Sequence, residues 1–238
     1  MNDDPSPSPA GTGTATAQQP GAAPENRAEL PLFPLQMVLF PGGLLQLKVF
    51  EARYLDLMSH CLRNQAPFGV VCLSEGAEVR RGGRDKPGDK AADKVADKAR
   101  FESVAVLAHL QELDSDHAGI LRARCLGGQR VRLGVARQRA DGLWLAPAEP
   151  CADDEASAVS ADLQQAADAL GQAIGALAAQ DQTPFARPYQ LDDAGWVANR
   201  WCEILPISLA AKYRLMVLDE PLLRLKLVDE FLRGKGVV

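Results

Sequence analysis

The sequence predicts an α+β protein in which an N-terminal β-rich unit of six or seven short strands, a small barrel or sandwich interrupted by one helix, precedes a C-terminal helical bundle. Three observations predict it. Between residues 29 and 150, short apolar runs alternate with Pro-, Gly- and Asp-rich turn signals, the rhythm of a small barrel or sandwich. After Pro150 the apolar residues recur every three or four positions, which is helical spacing. Finally, 238 residues of which 47% are hydrophobic and 24% charged can bury a core without disulfides or metals.

Residues 1–28 are Pro, Gly, Ala, Ser and Thr with almost no large apolar side chains. They bury too little surface to offset the entropy of ordering, and they read as a disordered tail. The barrel half follows over residues 29–150. Leu32 to Phe40 and Leu44 to Phe50 read as strands split by the turn Pro41-Gly42-Gly43, and Leu45, Leu47 and Val49 alternate with Gln46 and Lys48 as a half-buried strand requires. From Glu51 to Leu62, Tyr54, Leu55, Met58, Cys61 and Leu62 fall at helical spacing, predicting one helix that closes near Asn64. Phe68 to Leu73 is the next strand. Residues 79–100 then repeat Asp-Lys pairs between alanines, with eight bases against four acids, and read as a low-complexity loop insertion. Val104 to Leu110, Gly119 to Leu126, Arg130 to Val135 and Leu143 to Ala146 complete the strands. The intervening turns are read at Asp114-Ser115-Asp116, Gly127-Gly128 and Asp141-Gly142.

Residues 151–238 read as helices. Asp153-Asp154 is placed to cap a long helix whose Val159, Leu163, Ala166, Leu170, Ile174 and Leu177 form one stripe. Asp192-Asp193 precede a second helix carrying Trp196, Val197, Trp201 and Ile204, which Pro206 stops. Ser208 caps a short helix through Leu218. Asp219 caps the last, with Pro221 in its first turn and Gly234 at its end.

Composition excludes several function classes. Lys+Arg 26 against Asp+Glu 31 gives a net charge of −5, too acidic for bulk nucleic-acid binding. No run approaches the ~18 apolar residues of a membrane span, and the acidic start Met1-Asn2-Asp3-Asp4 is not a secretory signal; a cytoplasmic protein without membrane contact is expected. The five cysteines are scattered with no C-x-x-C spacing, so neither disulfides nor a zinc site is expected. Nucleophile elbow, H-E-x-x-H and G-x-G-x-x-G motifs are missing. Ser59-His60, adjacent on a helix, point about 100° apart. Asp114-Ser115-Asp116-His117 reads as a turn rather than a catalytic or metal cluster. No catalytic residue, metal or cofactor is predicted.

One charge pattern stands out. Arg122, Arg124, Arg130, Arg132, Arg137 and Arg139 lie between Asp116 and Asp141 with no acid among them. On strands Arg122 and Arg124 share a face, as do Arg130 and Arg132, which makes these four a candidate anion or RNA patch. No aromatic lies among them to stack a base.

The segment Leu30-Pro31-Leu32-Phe33-Pro34-Leu35, with Val38-Leu39-Phe40-Pro41-Gly42 and Leu45 and Leu47, resembles the opening of the Lon protease N-terminal, or substrate-binding, domain. Phe50-Glu51-x-Arg53-Tyr54 with Met58, Gly127-Gly128-Gln129-Arg130-Val131-Arg132-Leu133, and Leu205-Pro206-Ile207 with Lys212, Leu215 and Arg224-Leu225 continue the likeness over residues 29–233. Glu102-Ser103-Val104-Ala105 stands where the family usually has a Gly-Thr-Leu-Ala-like run. The resemblance implies a PUA-like barrel packed on a helical bundle. Full-length proteases of the family add ATPase and peptidase modules, and this sequence ends at Val238, so a stand-alone, ATP-independent module is expected. It would recognise unfolded or extended polypeptides and present them to a protease or chaperone without catalysis; the alternative is an RNA-binding module using strands 119–139. Phe40, Pro41, Gly42, Phe50, Glu51, Arg53, Tyr54 and Arg130 are the candidate binding or structural residues. Physical roles for them follow from position: Pro41-Gly42 shapes a turn in which glycine supplies a positive φ, Phe50 staples to Tyr54, and Glu51 places an anion at a helix start. Glu51 and Arg53, two apart, are not expected to pair. Nothing in the sequence predicts an oligomeric state.

Overall fold

Period-two alternation between residues 29 and 150 produces seven strands. In the computed structural model, whose described residues are 29–75, 100–117 and 119–238, these are β1 (Glu29–Leu35), β2 (Leu44–Val49), β3 (Phe68–Glu75), β4 (Arg100–His117), β5 (Ile120–Leu133), β6 (Arg137–Gln138) and β7 (Trp144–Pro150). The expected tail at 1–28 and nearly all of the expected loop at 79–100 lie outside the described residues. The sheet order is β2-β5-β4-β3-β1-β7-β6, and β5 also pairs with β7. Strands β5, β4, β3, β1 and β7 therefore close into a ring, with β2 and β6 at its margins. All pairings are antiparallel except β1 with β3.

Closure divides the apolar residues between two cores. Leu32, Val71, Ala105, Val131 and Ala146, one from each ring strand and none more than 3% exposed, form their own buried cluster inside the ring. Their sequence neighbours Phe33, Val70, Val106 and Leu145 point the other way, into a larger core, as the two-residue repeat demands. That larger core also takes in Met58, Leu170, Val197 and Leu225. The two halves of the chain thus share one continuous apolar interior.

The helices are α1 (Ala52–Asn64), α2 (Gln164–Ala178, after a 3₁₀ turn at Ala161–Leu163), α3 (Ala194–Ile204), α4 (Leu209–Met216) and α5 (Pro221–Gly234). α1 buries Arg53, Tyr54, Leu57, Met58 and Cys61 and ends at Gln65, in the left-handed region at φ 50. The Ser208 hydroxyl accepts from Ala211 N at 3.2 Å, so the expected cap of α4 forms, and the Asp193 carboxylate caps α3 by accepting from Trp196 N at 2.7 Å.

Several boundaries differ from the sequence reading. β1 stops at Leu35 instead of continuing to Phe40. Asp114-Ser115-Asp116 lies within β4. Gly127-Gly128 is not a turn: the two expected strands around it are one strand, β5, with a register shift opposite Val106 and Ala108. Tertiary approach explains these glycines, since a Cβ on Gly127 would stand 2.4 Å from the Phe40 carbonyl and one on Gly128 2.6 Å from His109 Nε2. They mark a bulge where other groups come close. Asp153-Asp154 caps no helix, because α2 begins ten residues later, and residue 220, not Asp219, precedes α5. Gly236, beyond Gly234, supplies the positive φ at the C-terminal end.

Gly127→Ala places a methyl group against backbone that cannot rotate away. It is expected to lower unfolding stability by about 2–4 kcal/mol, read as a lower urea midpoint at an unchanged slope; a loss below about 0.5 kcal/mol would show that the bulge yields freely.

Candidate functional site

The barrel meets the bundle through buried guanidinium groups. Gly43 N donates to Phe40 O at 2.9 Å and Gly42 has φ +72, which makes Phe40–Gly43 a tight turn with Pro41 and Gly42 at its centre. Arg200, fully buried on α3, reaches this turn: Nη1 donates to Gly42 O at 2.6 Å and Nη2 to Pro41 O at 2.8 Å. Its counter-ion is Glu203, 2.8 Å from Nη2, whose own carbonyl accepts from Lys212 Nζ at 3.0 Å. A side chain on Gly43 would collide with Glu203 Oε1 at 2.3 Å. Burial pushes the Glu203 carboxyl up to about 7, against the pull of Arg200 and Lys212.

A second junction lies across the ring. Arg130 on β5 points outward, since its neighbour Val131 points in, and donates to the carbonyls of Ala152 and Met216 at 3.0 and 3.1 Å. Asp154 Oδ1 accepts from it at 3.0 Å, while Arg224 on α5 donates to the same carboxylate at 2.6 Å and to Asn199 Oδ1 at 3.0 Å. Asp219 stands 3.3 Å from Arg130. One carboxylate is thereby held between two buried arginines.

Beside the first junction runs an apolar groove. Two adjoining cavities of about 290 and 260 Å³ share Met37. The first lies between β1 and β2, against Phe33, Leu35, Leu47, Phe50 and Tyr54, with Gln46, Lys48 and Glu51; the second lies between barrel and bundle, against Leu39, Leu44, Phe185, Ile204 and Leu209, with Glu203 and Lys212. Met37, Phe50, Ile204 and Leu209 are 37%, 52%, 38% and 38% exposed. Two larger cavities, each about 550 Å³, are lined by charges of both signs. One holds Arg130, Arg132, Glu149 and Asp219; the other holds Lys48, Arg122 and Arg124 with Glu112 and Asp114.

The residues singled out in the sequence are distributed accordingly. Phe40, Pro41 and Gly42 form the turn gripped by Arg200. Phe50 stands on the groove rim, and the ring that stacks on Tyr54, at 4.1 Å, is Phe33. Contrary to expectation, Glu51 and Arg53 pair at 2.8 Å: residue 51 is extended at φ −78, ψ 134, so helical spacing does not govern the pair. Arg53 also donates to Gly142 O at 2.7 Å. The four arginines of the expected patch form two pairs, Arg130 and Arg132 at one of the larger cavities and Arg122 and Arg124 at the other. Arg130 is buried at the bundle, whereas Arg124 lies 3.4 Å from Glu112 and Arg122 faces Asp114 across the β4–β5 ladder. His60 Nδ1 engages Asn64 Nδ2 at 3.2 Å on the exposed face of α1. Burial pushes the Cys125 and Cys202 thiols up to about 12, leaving them protonated at neutral pH. Among the described residues, no helix is long and apolar enough to cross a membrane.

The family profile of the ATP-dependent protease La (LON) substrate-binding domain matches residues 29–234. The chain belongs to this family. The crystal structure of a Lon N-terminal domain protein from Xanthomonas campestris is similar at 27% identity and a TM-score of 0.63, covering 84% of this chain and 96% of that one. The N-terminal domain of a Mycobacterium avium complex Lon protease shares the fold at 11% identity and a TM-score of 0.53, covering 85% of this chain and 96% of that one. No curated protein matches significantly.

Within this Lon substrate-binding domain family member, the sequence reading located the turn, Arg130 and Phe50 but missed Asp154, Asn199, Arg200 and Glu203. A signal was present for Arg200. It follows Trp196 and Val197 by four and three positions, which places a cation on the apolar stripe of a buried helix.

Two predictions follow the junctions. Asp154→Ala removes the carboxylate shared by Arg130 and Arg224, leaving Arg130 only the largely exposed Asp219, and is expected to cost about 3–5 kcal/mol in urea unfolding, against about 1 kcal/mol for a lost helix cap. The second concerns pH. Because the folded-state pKa of Glu203 lies above its unfolded value of 4.5, the stability tied to its neutral form is full below pH ~4.5 and is lost as pH rises through ~7. Glu203→Gln is therefore expected to match the native protein in urea midpoint near pH 5 and to exceed it at pH 8; parallel midpoints across that range would contradict the assignment.

Proposed function

We propose that this protein is a non-catalytic recognition module that binds extended polypeptide segments in the groove running past Met37 and presents them to a protease or chaperone partner in the cytoplasm. The observation that carries this reading is the groove itself: an apolar channel bridging barrel and bundle, in a chain of the Lon substrate-binding domain family. Its wall includes β2, whose one strand neighbour among the described residues is β5. An extended segment laid along β2 can add backbone hydrogen bonds to the sheet while alternate side chains enter the space between β1 and β2. The two larger cavities suit this task less well, because more of their lining is charged, and covering those charges with apolar side chains costs desolvation free energy.

No reaction is required of the groove. Of its charged side chains, Glu203 and Lys212 are tied to Arg200 and to the α3 carbonyl and Glu51 to Arg53, and no nucleophile–base pair faces it among the described residues. Retention of a segment and its release to a partner would follow from modest affinity.

Titration calorimetry of unstructured apolar peptides against the intact chain is expected to give micromolar dissociation constants, about −8 kcal/mol, with no turnover of the peptide. Met37→Asp and Phe50→Asp should each weaken binding about tenfold or more, whereas Val135→Asp, at a residue 90% exposed outside the groove, should not. Absence of binding by the native chain, or equal binding by all three variants, would remove the groove from consideration.

A further inference from the structure

The second half of the groove is apolar except for one carboxyl group and one ammonium group. Met37, Leu39, Leu44, Phe185, Ile204 and Leu209 surround Glu203 and Lys212. Lys212 spends a hydrogen bond on the backbone carbonyl of Glu203, not on the carboxylate. The carboxylate rests on the bare face of Gly43 and on Arg200 Nη2. Arg200 in turn divides its guanidinium among Glu203 and the carbonyls of Pro41 and Gly42. The groups that titrate or carry charge around Glu203 are Arg200 and Cys202 from its own helix and Lys212 from α4. The turn Phe40–Gly43 and the Pro184-Phe185 segment bring none.

Seating apolar side chains in this half of the groove removes water from the Glu203 carboxyl. For the ionised form that loss is costly; for the neutral form it is small. The free protein already stands close to the balance point, since burial has brought this carboxyl up to about 7. We propose that Glu203 is a specificity-determining proton switch of the groove, which takes apolar polypeptide segments more tightly when its carboxyl is neutral, so that binding strengthens on acidification and draws a proton from solution. This inference rests on the groove being the polypeptide site. The reciprocity of linkage fixes its second half: if protonation tightens binding, binding must raise the carboxyl's affinity for the proton by the same factor.

The test uses the intact chain and an acetylated, amidated apolar peptide without Asp, Glu, His or Cys, so that the ligand itself does not titrate. Calorimetric dissociation constants measured at pH ~5.5 and ~8.5 should differ by about threefold to tenfold, tighter in acid, tenfold corresponding to one unit of displacement. Near pH 7, titrations in buffers of different ionisation enthalpy should show net uptake of a fraction of a proton. Glu203→Gln should bind at both pH values as the native chain does in acid, with no proton uptake. Native binding that is equal at the two pH values, or accompanied by no proton uptake near pH 7, overturns the proposal while leaving the groove as the site. A pH dependence that survives Glu203→Gln also overturns it. If Glu203→Gln does not fold, carbon-13 titration of the native Glu203 carboxyl with and without peptide decides, an unmoved midpoint being the adverse result. Native chain that binds no peptide at either pH removes the recognition function, and the switch with it.

Discussion

The architecture depends on buried guanidinium groups that satisfy backbone carbonyls across the boundary between sheet and helices. A carbonyl removed from water without a donor costs free energy comparable to a lost hydrogen bond, and the turn at Pro41-Gly42 and the strap around Ala152 both present such oxygens to the bundle. Arg200 and Arg130 supply the donors. Each guanidinium carries five N–H groups in a planar fork, so one side chain can serve two carbonyls and a carboxylate together. Charge balance comes from Glu203 in one junction and from Asp154, shared with Arg224, in the other. Removing one partner from such a set strands the others, which is why these junctions are sensitive although ion pairs of this kind add little net stability.

The groove is a by-product of the same docking. The Arg200 junction seats α3 against the Phe40–Gly43 turn, and the space left beside it, between Leu44 on the barrel and Ile204 and Leu209 on the bundle, stays open and apolar. Met37 extends it to the gap between β1 and β2. Glu203 belongs to both structures, balancing the charge of the junction and forming part of the wall of the groove. Solvent removal at the wall is therefore coupled to the ionic state of the junction, and this coupling gives the site its expected dependence on proton concentration.

Legibility in the sequence followed the range of the interactions. The turn at Pro41-Gly42, the cap residue Ser208 and the end of α1 near Asn64 are set by local backbone chemistry, and each is readable in the sequence. Asp154 was misread because an Asp before an apolar run is a good cap signal, while its partners Arg130 and Arg224 lie 24 and 70 residues away. Gly127-Gly128 was misread for the same kind of reason. A glycine pair between strands signals a turn locally, yet here it admits the Phe40 carbonyl and the His109 ring. Strand orientation divides the basic run into two pairs, one at each of the larger cavities. Alternation sends Arg130 to the bundle, and the β4–β5 register brings Glu112 and Asp114 opposite Arg124 and Arg122.

By itself the sequence determined the α+β class and the order of β-rich half before helical half, because periodicity, turn chemistry and capping act over a few residues, and its motifs carried the family likeness. Tertiary structure decided which charges are buried, how β5 closes the ring by pairing with both β4 and β7, and where a largely apolar groove remains open. Those outcomes arise where segments distant in sequence exclude water from one another, and burial, unlike periodicity, is a property of the assembled surfaces.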